Sequence, residues 1–354
     1  MNKNFLITTG GSGGHVIPAT IIYDHLANKS NMIISTDKRG LNYLNKKNYK
    51  FEIINTPKLS NIFLLPFNSL IILFLTLKSI FLLKKQKIVK VFSTGGYMSL
   101  PIILAARLLG LKIFLIEPNQ VLGRANRFFL NFCQKIFCYS EEIKNFPQNF
   151  KTKIVIINPL VKKKIYEFKP LNDHKNKFTL LVVGGSQGAN VFDDNLKDLI
   201  VKISKKKSIR IIHQTSENNV SALNSYYVKN NIENKIFCFT ENFADYIQQS
   251  DLCISRAGAS TLAELSVMNV PFIAVPLPTS KDNHQLENAN FYKNKDCCWL
   301  IEQTYFNKEI EETLNEIFDN KTNYLQKKEN LKKLNYQNTW NNVNQKILEV
   351  INEN

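Results

Sequence analysis

Acidic residues are scarce in this sequence. Of 354 residues, 29 are Asp or Glu against 46 Lys or Arg, a formal net charge of +17. The excess of cation favours a polyanionic partner: nucleic acid, anionic lipid or a phosphorylated substrate. A drift toward lysine, in keeping with a Lys-, Asn- and Ile-rich composition, inflates part of it. No recognised nucleic-acid-binding motif occurs, which makes nucleic acid the weaker partner. Cysteine is sparse as well. Cys133, Cys138, Cys238, Cys253, Cys297 and Cys298 show no metal-ligand spacing. Most lie in apolar runs such as IFCYS and LCIS, as reduced core residues of a cytosolic protein do. The opening MNKNFLITTG lacks the h-region and cleavage site of a signal peptide and reads as a chain entering a strand.

Two nucleotide-binding fingerprints are also missing. After Gly11, a dinucleotide motif needs a third glycine at position 16, where the residue is Val16. Neither glycine-rich loop contains the G-K-[ST] of a Walker A site.

What is present describes a globular chain long enough for two domains, with 44% hydrophobic and 21% charged residues. Apolar runs alternate with helical patterns. FLITT, MIIST, FEIIN, VKVFST, KIFLIE, KIFCYS and KIVIIN read as strands in the first half. FTLLVVGG, IRIIHQT, KIFCFTE, LCISRAG, PFIAVPLP and CCWLIEQ do so in the second. Strands that are apolar throughout belong in parallel sheets covered on both faces, the doubly wound α/β plan. A polar, basic stretch with two prolines, NPLVKKKIYEFKPLNDHKNK (158–177), divides the halves and reads as a linker and hinge. The expected domains are 1–160 and 161–340, with 341–354 an amphipathic helix packing back toward the first.

Each half restarts with strand, glycine-rich turn and helix: TTGGSGGH (8–15) and LVVGGSQGAN (181–190). Glycines let the backbone turn sharply and approach a ligand. The following helix then aims its free N–H groups and positive end at an anion. A tight turn with no ligand is the competing reading, weakened by the loop's recurrence in both halves. His15 opens the first helix. A positive helix end opposes its protonation, so it suits a general base; packing or capping is the alternative.

In the second half, SRAGASTLAE (255–264) ends a strand and starts a helix near Ser260 or Thr261. Glu264 is placed to accept both hydroxyls of a ribose, or to close a capping box. Gln285 and Asn288, in PLPTSKDNHQLENAN, offer neutral groups suited to sugar hydroxyls, though a solvated polar loop reads the same way. STGGYMSLP (93–101) and EPN (117–119) also end strands, where open sheets collect ligands.

GGSGGHVIPA, STGGYMSLP, EPN…G, VVGGSQGA, SRAGASTLAE and KDNHQLENA together resemble the MurG family of peripheral-membrane N-acetylglucosaminyltransferases, in order and spacing, from residue 4 to about 345. The resemblance implies a GT-B fold, two Rossmann-like doubly wound domains facing across a cleft. It implies inverting transfer of GlcNAc from UDP-GlcNAc to the C4 hydroxyl of the MurNAc of lipid I, giving lipid II for peptidoglycan. It implies neither cofactor nor metal. By position, it gives Ser12, Gly13 and Gly14 the donor and diphosphate side, and gives Asn119 a donor contact. Ser186 would bind the diphosphate and the Thr240 backbone the uracil. Ala259, Ser260, Thr261, Leu262, Ala263 and Glu264 would hold the nucleotide, with Glu264 on the ribose. Gln285 would meet the GlcNAc hydroxyls, and His15 would assist deprotonation of the acceptor. The chain departs twice. The family's GNPVR is INPLVKKK here, leaving Lys162 as the nearest cation without arginine's bidentate fork. The family's EQN is EPN, with Pro118 in the middle.

IFLLPFNSLIILFLTLKSIFLL (62–83) has the length of a membrane span, but Pro66, Asn68, Ser69 and Lys78 interrupt it. A helix after Pro66 would be short for a span, and it lies between strands of one sheet. The remaining readings are core and an exposed apolar patch. Lys84, Lys85, Lys87, Lys90, Arg107, Lys112, Arg124 and Arg127 would rim such a patch with cations, as an anionic bilayer surface requires. The expected location is the cytoplasmic face of the bacterial inner membrane, peripherally bound, with a cell-wall synthesis complex as a further partner.

Overall fold

In the computed structural model the first seven apolar runs pair into one all-parallel sheet. The structure describes residues 3–57, 62–168, 177–185, 190–238, 240 and 242–353. The strands are β1 (Lys3–Thr8), β2 (Ser30–Thr36), β3 (Phe51–Ile53), β4 (Ile88–Ser93), β5 (Lys112–Glu117), β6 (Lys135–Cys138) and β7 (Ile154–Ile156), in the order β3-β2-β1-β4-β5-β6-β7. The order reverses between β1 and β4. The connections leaving these two neighbours diverge there, opening a crevice at the carboxyl ends. Helices α1 (Gly13–Leu26), α2 (Leu65–Lys85), α3 (Leu100–Leu108) and α4 (Arg124–Phe129) follow β1, β3, β4 and β5.

The second sheet repeats the plan with β8 (Phe178–Val183), β9 (Ile209–Gln214), β10 (Glu233–Phe237), β11 (Leu252–Ser255), β12 (Phe272–Ala274) and β13 (Cys298–Leu300), ordered β10-β9-β8-β11-β12-β13, all parallel. Its reversal falls between β8 and β11. The helices of this half are α5 (Lys163–Glu167), α6 (Asn190–Ser204), α7 (Val220–Lys229), α8 (Phe243–Gln248), α9 (Ala259–Val267), α10 (His284–Lys293), α11 (Phe306–Asp319) and α12 (Lys321–Leu334), and α13 (Trp340–Glu353) follows. The chain divides into two compact units, Met1–Lys163 with Asn338–Asn354, and Lys164–Gln337.

Alternating strand residues feed opposite faces of each sheet. In the first unit Phe5 and Ile7 join Ile21 and Ile22 of α1 and Val343 and Ile347 of α13, while Leu6 and Val91 join Ile102 and Ile103 of α3. In the second, Leu180 and Val182 pack under α6, α7 and α11, and Leu181 and Val183 under α9 and α10. Burial on both faces is what makes these strands apolar throughout. Cys238 alone of the six cysteines is exposed; none forms a disulfide.

Helix α2 is built inside out. Its buried face carries Asn68, Ile72, Thr76, Ser79 and Leu83. Thr76 and Ser79 donate back to the carbonyls of Ile72 and Leu75 at 2.8 and 2.7 Å, which satisfies their hydroxyls within the helix. The apolar residues Phe67, Leu70, Phe74, Leu77 and Phe81 line the solvent face, with Phe81 69% exposed, and Phe63, in the turn just before the helix, is 90% exposed. Leu108 and Phe128 are exposed on or beside α3 and α4. Pro66 does not shorten the helix as expected. It sits in the first turn, where its missing N–H has no helical partner to lose. By length and composition α2 is the one helix among the described residues able to cross a membrane, with 22% of that window buried. Its inner face nevertheless packs on the core of the first unit through Leu83, with Leu75, Ile80 and Leu82 against the same cluster. Lys90 leaves the expected cationic rim. It is buried in β4 between the rings of Phe5 and Phe114 and donates to the Ile351 carbonyl at the end of α13.

Candidate active site

In the first unit the loop between β1 and α1 passes through Gly10 and Gly11, at φ of 151° and 80°. A side chain at Gly10 would place its Cβ 2.6 Å from Asp37 Oδ1. Ser12 is the extended N-cap of α1, and its carbonyl accepts from His15 and Val16, both at 3.1 Å. The N–H groups of Gly13 and Gly14 therefore begin the helix with no intrahelical acceptor. Ser12 and Gly14 are exposed, so an anion can approach them from solvent.

His15 lies one residue further in, half-buried. Its Nδ1 is 2.7 Å from the carbonyl of Thr94, in the turn after β4. A carbonyl only accepts, so Nδ1 carries a proton, and in the neutral form of the ring the lone pair is on Nε2. That tautomer is the one a general base requires.

Asp37, at the end of β2, organises the loop. Its Oδ1 accepts from Gly11 N at 2.8 Å and Gly40 N at 2.9 Å, and its Oδ2 from Arg39 Nε and Nη2 at 3.0 and 2.8 Å. Burial raises its pKa, but these donors and the guanidinium charge outweigh burial and hold it below the usual carboxylate value. Glu117 organises the EPN turn through its own hydrogen bonds. It is buried and accepts from the Asn119 side chain at 3.0 Å, Gly123 N at 2.9 Å and the Asn126 side chain at 3.0 Å. Asn119 is thus half-buried and oriented by Glu117.

In the second unit Ser186 lies outside the described residues. Gly185, before it, has φ of 81° and donates to the Gln214 side chain at 3.1 Å. Gln214 in turn donates to the Cys238 carbonyl at 3.0 Å, tying this loop to the segment that carries Thr240. The Thr240 hydroxyl accepts from Asn242 N at 3.0 Å. Helix α9 begins at Ala259 behind the N-cap Gly258, a residue or two earlier than its sequence suggests. Ala259, Ser260 and Thr261 are half-buried in the first turn; Leu262 and Ala263 are buried in the core. Glu264 is the sixth helical residue and buried. A capping-box glutamate belongs at the third, where Thr261 stands, so Glu264 does not fill that role.

Gln285, in the first turn of α10, accepts from Leu277 N at 2.9 Å, which leaves its amide N–H groups as donors. Asn288 is buried and donates to the Ala257 carbonyl at 3.1 Å, bracing α10 against the loop before α9. Arg256 is a second brace, donating to the Val275 carbonyl at 3.2 Å and the Gln303 side chain at 2.6 Å.

Two family models match the chain: the glycosyltransferase family 28 N-terminal domain over residues 5–138 and its C-terminal domain over 179–342. The crystal structure of Acinetobacter baumannii MurG superposes with a TM-score of 0.78 at 25% identity, covering 99% of this chain and 100% of that one. A relative from Pelagibacter ubique, named UDP-N-acetylglucosamine–N-acetylmuramyl-(pentapeptide) pyrophosphoryl-undecaprenol N-acetylglucosamine transferase, is 49% identical with 100% of both chains covered. This chain belongs to the MurG family. A Rickettsia prowazekii relative of the same name is 34% identical over 87% of this chain and 88% of its own. The paired Rossmann-like sheets are those of the GT-B fold.

Against this MurG-family frame, the first unit gathers Ser12, Gly13, Gly14 and His15 at one sheet reversal. The second gathers Ala259–Glu264 beside Gln285, which Asn288 links to the same loop. Lys162 is the last residue but one in the first stretch of the first unit. It is exposed, and its charge is felt by Asp24 near the far end of α1, ten residues or roughly 15 Å along the helix from Gly14. Sequence reasoning missed Asp37, Arg39, Glu117, Gln214 and Arg256. The one local signal was position. Asp37, Glu117 and Gln214 end strands or follow them directly, at the sheet edge where ligand loops start.

Proposed function

We propose that this protein transfers GlcNAc from UDP-GlcNAc to the C4 hydroxyl of the MurNAc of lipid I, making lipid II for peptidoglycan synthesis. The observation that carries the reading is 49% identity over the whole chain to a transferase of that name. The first unit takes the acceptor and the second the nucleotide sugar.

In the chemistry, the acceptor hydroxyl attacks the anomeric carbon from the face opposite UDP, with inversion. Nε2 of His15 takes its proton, supported by the Nδ1–Thr94 hydrogen bond. The growing charge on UDP meets the N–H groups at the start of α9 and Ser186, an electrostatic role. Glu264 accepts from the ribose hydroxyls, Gln285 meets the GlcNAc hydroxyls, and the Thr240 backbone meets the uracil. Ser12, Gly13 and Gly14 present N–H groups to a diphosphate, and Asn119, held by Glu117, contacts the sugar. Lys162 is the cation available for the family's arginine contact; its closeness to Asp24 weighs against it.

The apolar face of α2 rests on the bilayer that holds the acceptor. Eight cations were expected around it; Lys84, Lys85, Lys87, Arg107, Lys112, Arg124 and Arg127 are exposed to meet anionic headgroups. In this reading the protein is peripheral, on the cytoplasmic face of the inner membrane, where a cell-wall synthesis complex would receive lipid II.

The test is transfer of radiolabelled GlcNAc to a lipid I analogue in detergent, with Glu264→Ala beside it. Labelled disaccharide-lipid is expected, with UDP-GlcNAc affinity lowered about 10- to 100-fold in the variant, the loss of hydrogen bonds to a charged group. UDP-GlcNAc binding without transfer to the lipid I analogue would refute the reading.

A further inference from the structure

A recess beside the first glycine loop has no part in the chemistry above. Asp37, Lys38, Arg39, Asn55, Thr56 and Tyr97 line it, at the carboxyl ends of β2 and β3 and the turn after β4, around a volume of about 260 Å³. Liquid water takes roughly 30 Å³ per molecule, so the space suits a whole chemical group.

Most of the side-chain acceptors that converge here already have donors. Both oxygens of Asp37 are occupied by Gly11, Gly40 and Arg39. Asn55 Oδ1 accepts from Lys38 N at 3.0 Å, and the Thr56 hydroxyl donates to the Met98 carbonyl at 3.1 Å. The Tyr97 hydroxyl accepts from Arg39 Nη2, and the guanidinium lies over the Tyr97 ring, 5.5 Å from its centroid. What remains is mostly donors: Nη1 of Arg39, the ammonium of Lys38, the amide of Asn55 and the Tyr97 O–H, with the Thr56 oxygen as an acceptor. Lys38 has no carboxylate partner among the described residues. Lys38 and Arg39 against Asp37 leave one net positive charge. A site mostly of donors with net positive charge selects an oxyanion.

The recess is in fixed register with the glycine loop. Asp37 Oδ1 holds Gly11 N, and the backbones of Gly40 and Gly10 meet so closely that a Cβ at Gly40 would lie 2.9 Å from Gly10 Cα. The recess adjoins the loop that leads, four residues on from Gly11, to His15, and we assign its occupant to the molecule whose hydroxyl reaches that imidazole. Building on the proposed function, that molecule is the acceptor, which carries two kinds of oxyanion: its pyrophosphate and the carboxylates of its peptide stem. We propose that the Lys38–Arg39–Asn55 recess is an oxyanion subsite for the acceptor.

The test uses the full chain, Lys38→Gln and Arg39→Gln, and two acceptors alike except that one lacks the peptide. Lys38 is exposed, so its variant folds, and Lys38→Arg should restore function. An acceptor KM raised about 10- to 100-fold, with the UDP-GlcNAc KM unchanged, is the expected result. A rise confined to the peptide-bearing acceptor assigns the stem carboxylate; an equal rise on both assigns the pyrophosphate. An unchanged acceptor KM in both variants overturns the subsite, as does a rise in the donor KM alone. Calorimetry with inorganic pyrophosphate and with free MurNAc-pentapeptide makes the comparison without turnover. There, wild-type binding of at least one of the two that weakens in the variants supports the subsite. Equal binding in wild type and variants, or no binding of either by wild type, overturns it. Failure of wild-type transfer alone counts against the proposed function instead.

Discussion

The imidazole of His25, in α1, lies flat on the indole of Trp340, in α13, with ring centroids 3.6 Å apart and planes 14° from parallel. Asn344 closes the contact by donating to the His25 carbonyl at 2.6 Å. The ring is 2% exposed, and burial pushes its pKa down to about 3. Between that value and 6.5 the unfolded chain binds a proton that the folded chain refuses. Stability should therefore fall as pH drops from 6.5 toward 3, by up to ~1.4 kcal/mol per pH unit. His25→Phe keeps a stacked ring and removes the titration. Urea unfolding at pH 7 and pH 4 should show a loss about 3 kcal/mol smaller in the variant than in wild type; equal losses would exclude His25 as the cause.

Gly40→Ala should be among the more damaging single-methyl additions. Its Cβ would meet Thr36 Oγ1 at 2.2 Å and Gly10 Cα at 2.9 Å, and the latter is backbone that has nowhere to go. A cost of about 1–3 kcal/mol is expected from overpacking, read by denaturant midpoint. Transfer activity should fall as well, because Asp37 holds Gly40 N and Gly11 N through the same oxygen.

His15→Ala should lower kcat by about 10²- to 10⁴-fold, the usual worth of a positioned base, and leave the UDP-GlcNAc KM within a few-fold. Unchanged turnover would remove His15 from the chemistry.

Phe74→Ser with Phe81→Ser should leave the thermal midpoint nearly unchanged, within about 0.5 kcal/mol, since both side chains face solvent. Sedimentation with vesicles containing anionic lipid should drop sharply. Vesicle binding equal to wild type would show that this face does not meet the membrane.

Much of the fold was legible in the sequence because a parallel strand covered on both faces must be apolar at nearly every position. The thirteen apolar runs read as strands are the thirteen strands of the two sheets. The glycine loops were equally legible, since positive φ at Gly10, Gly11 and Gly185 restricts which residue can stand there. The direction of α2 was not. Its faces are apolar nearly all round, so periodicity could not say which one the sheet would take. The Asn68–Thr76–Ser79 face lies inward, where the hydroxyls of Thr76 and Ser79 are satisfied within the helix.

By itself, the sequence determined the two sheets, the turns that end their strands, and the family to which the whole chain aligns. These follow from rules that act within a few residues: period, turn geometry and helix start. Only the tertiary structure decided which side chains meet. Asp37 reaches Gly11 across 26 residues, Arg39 reaches Tyr97 across 58, and Lys90 reaches the end of α13 across 261. Those partners come from different strands and helices, brought together by the crossover connections. A contact of that kind leaves no periodic trace in the chain between its ends.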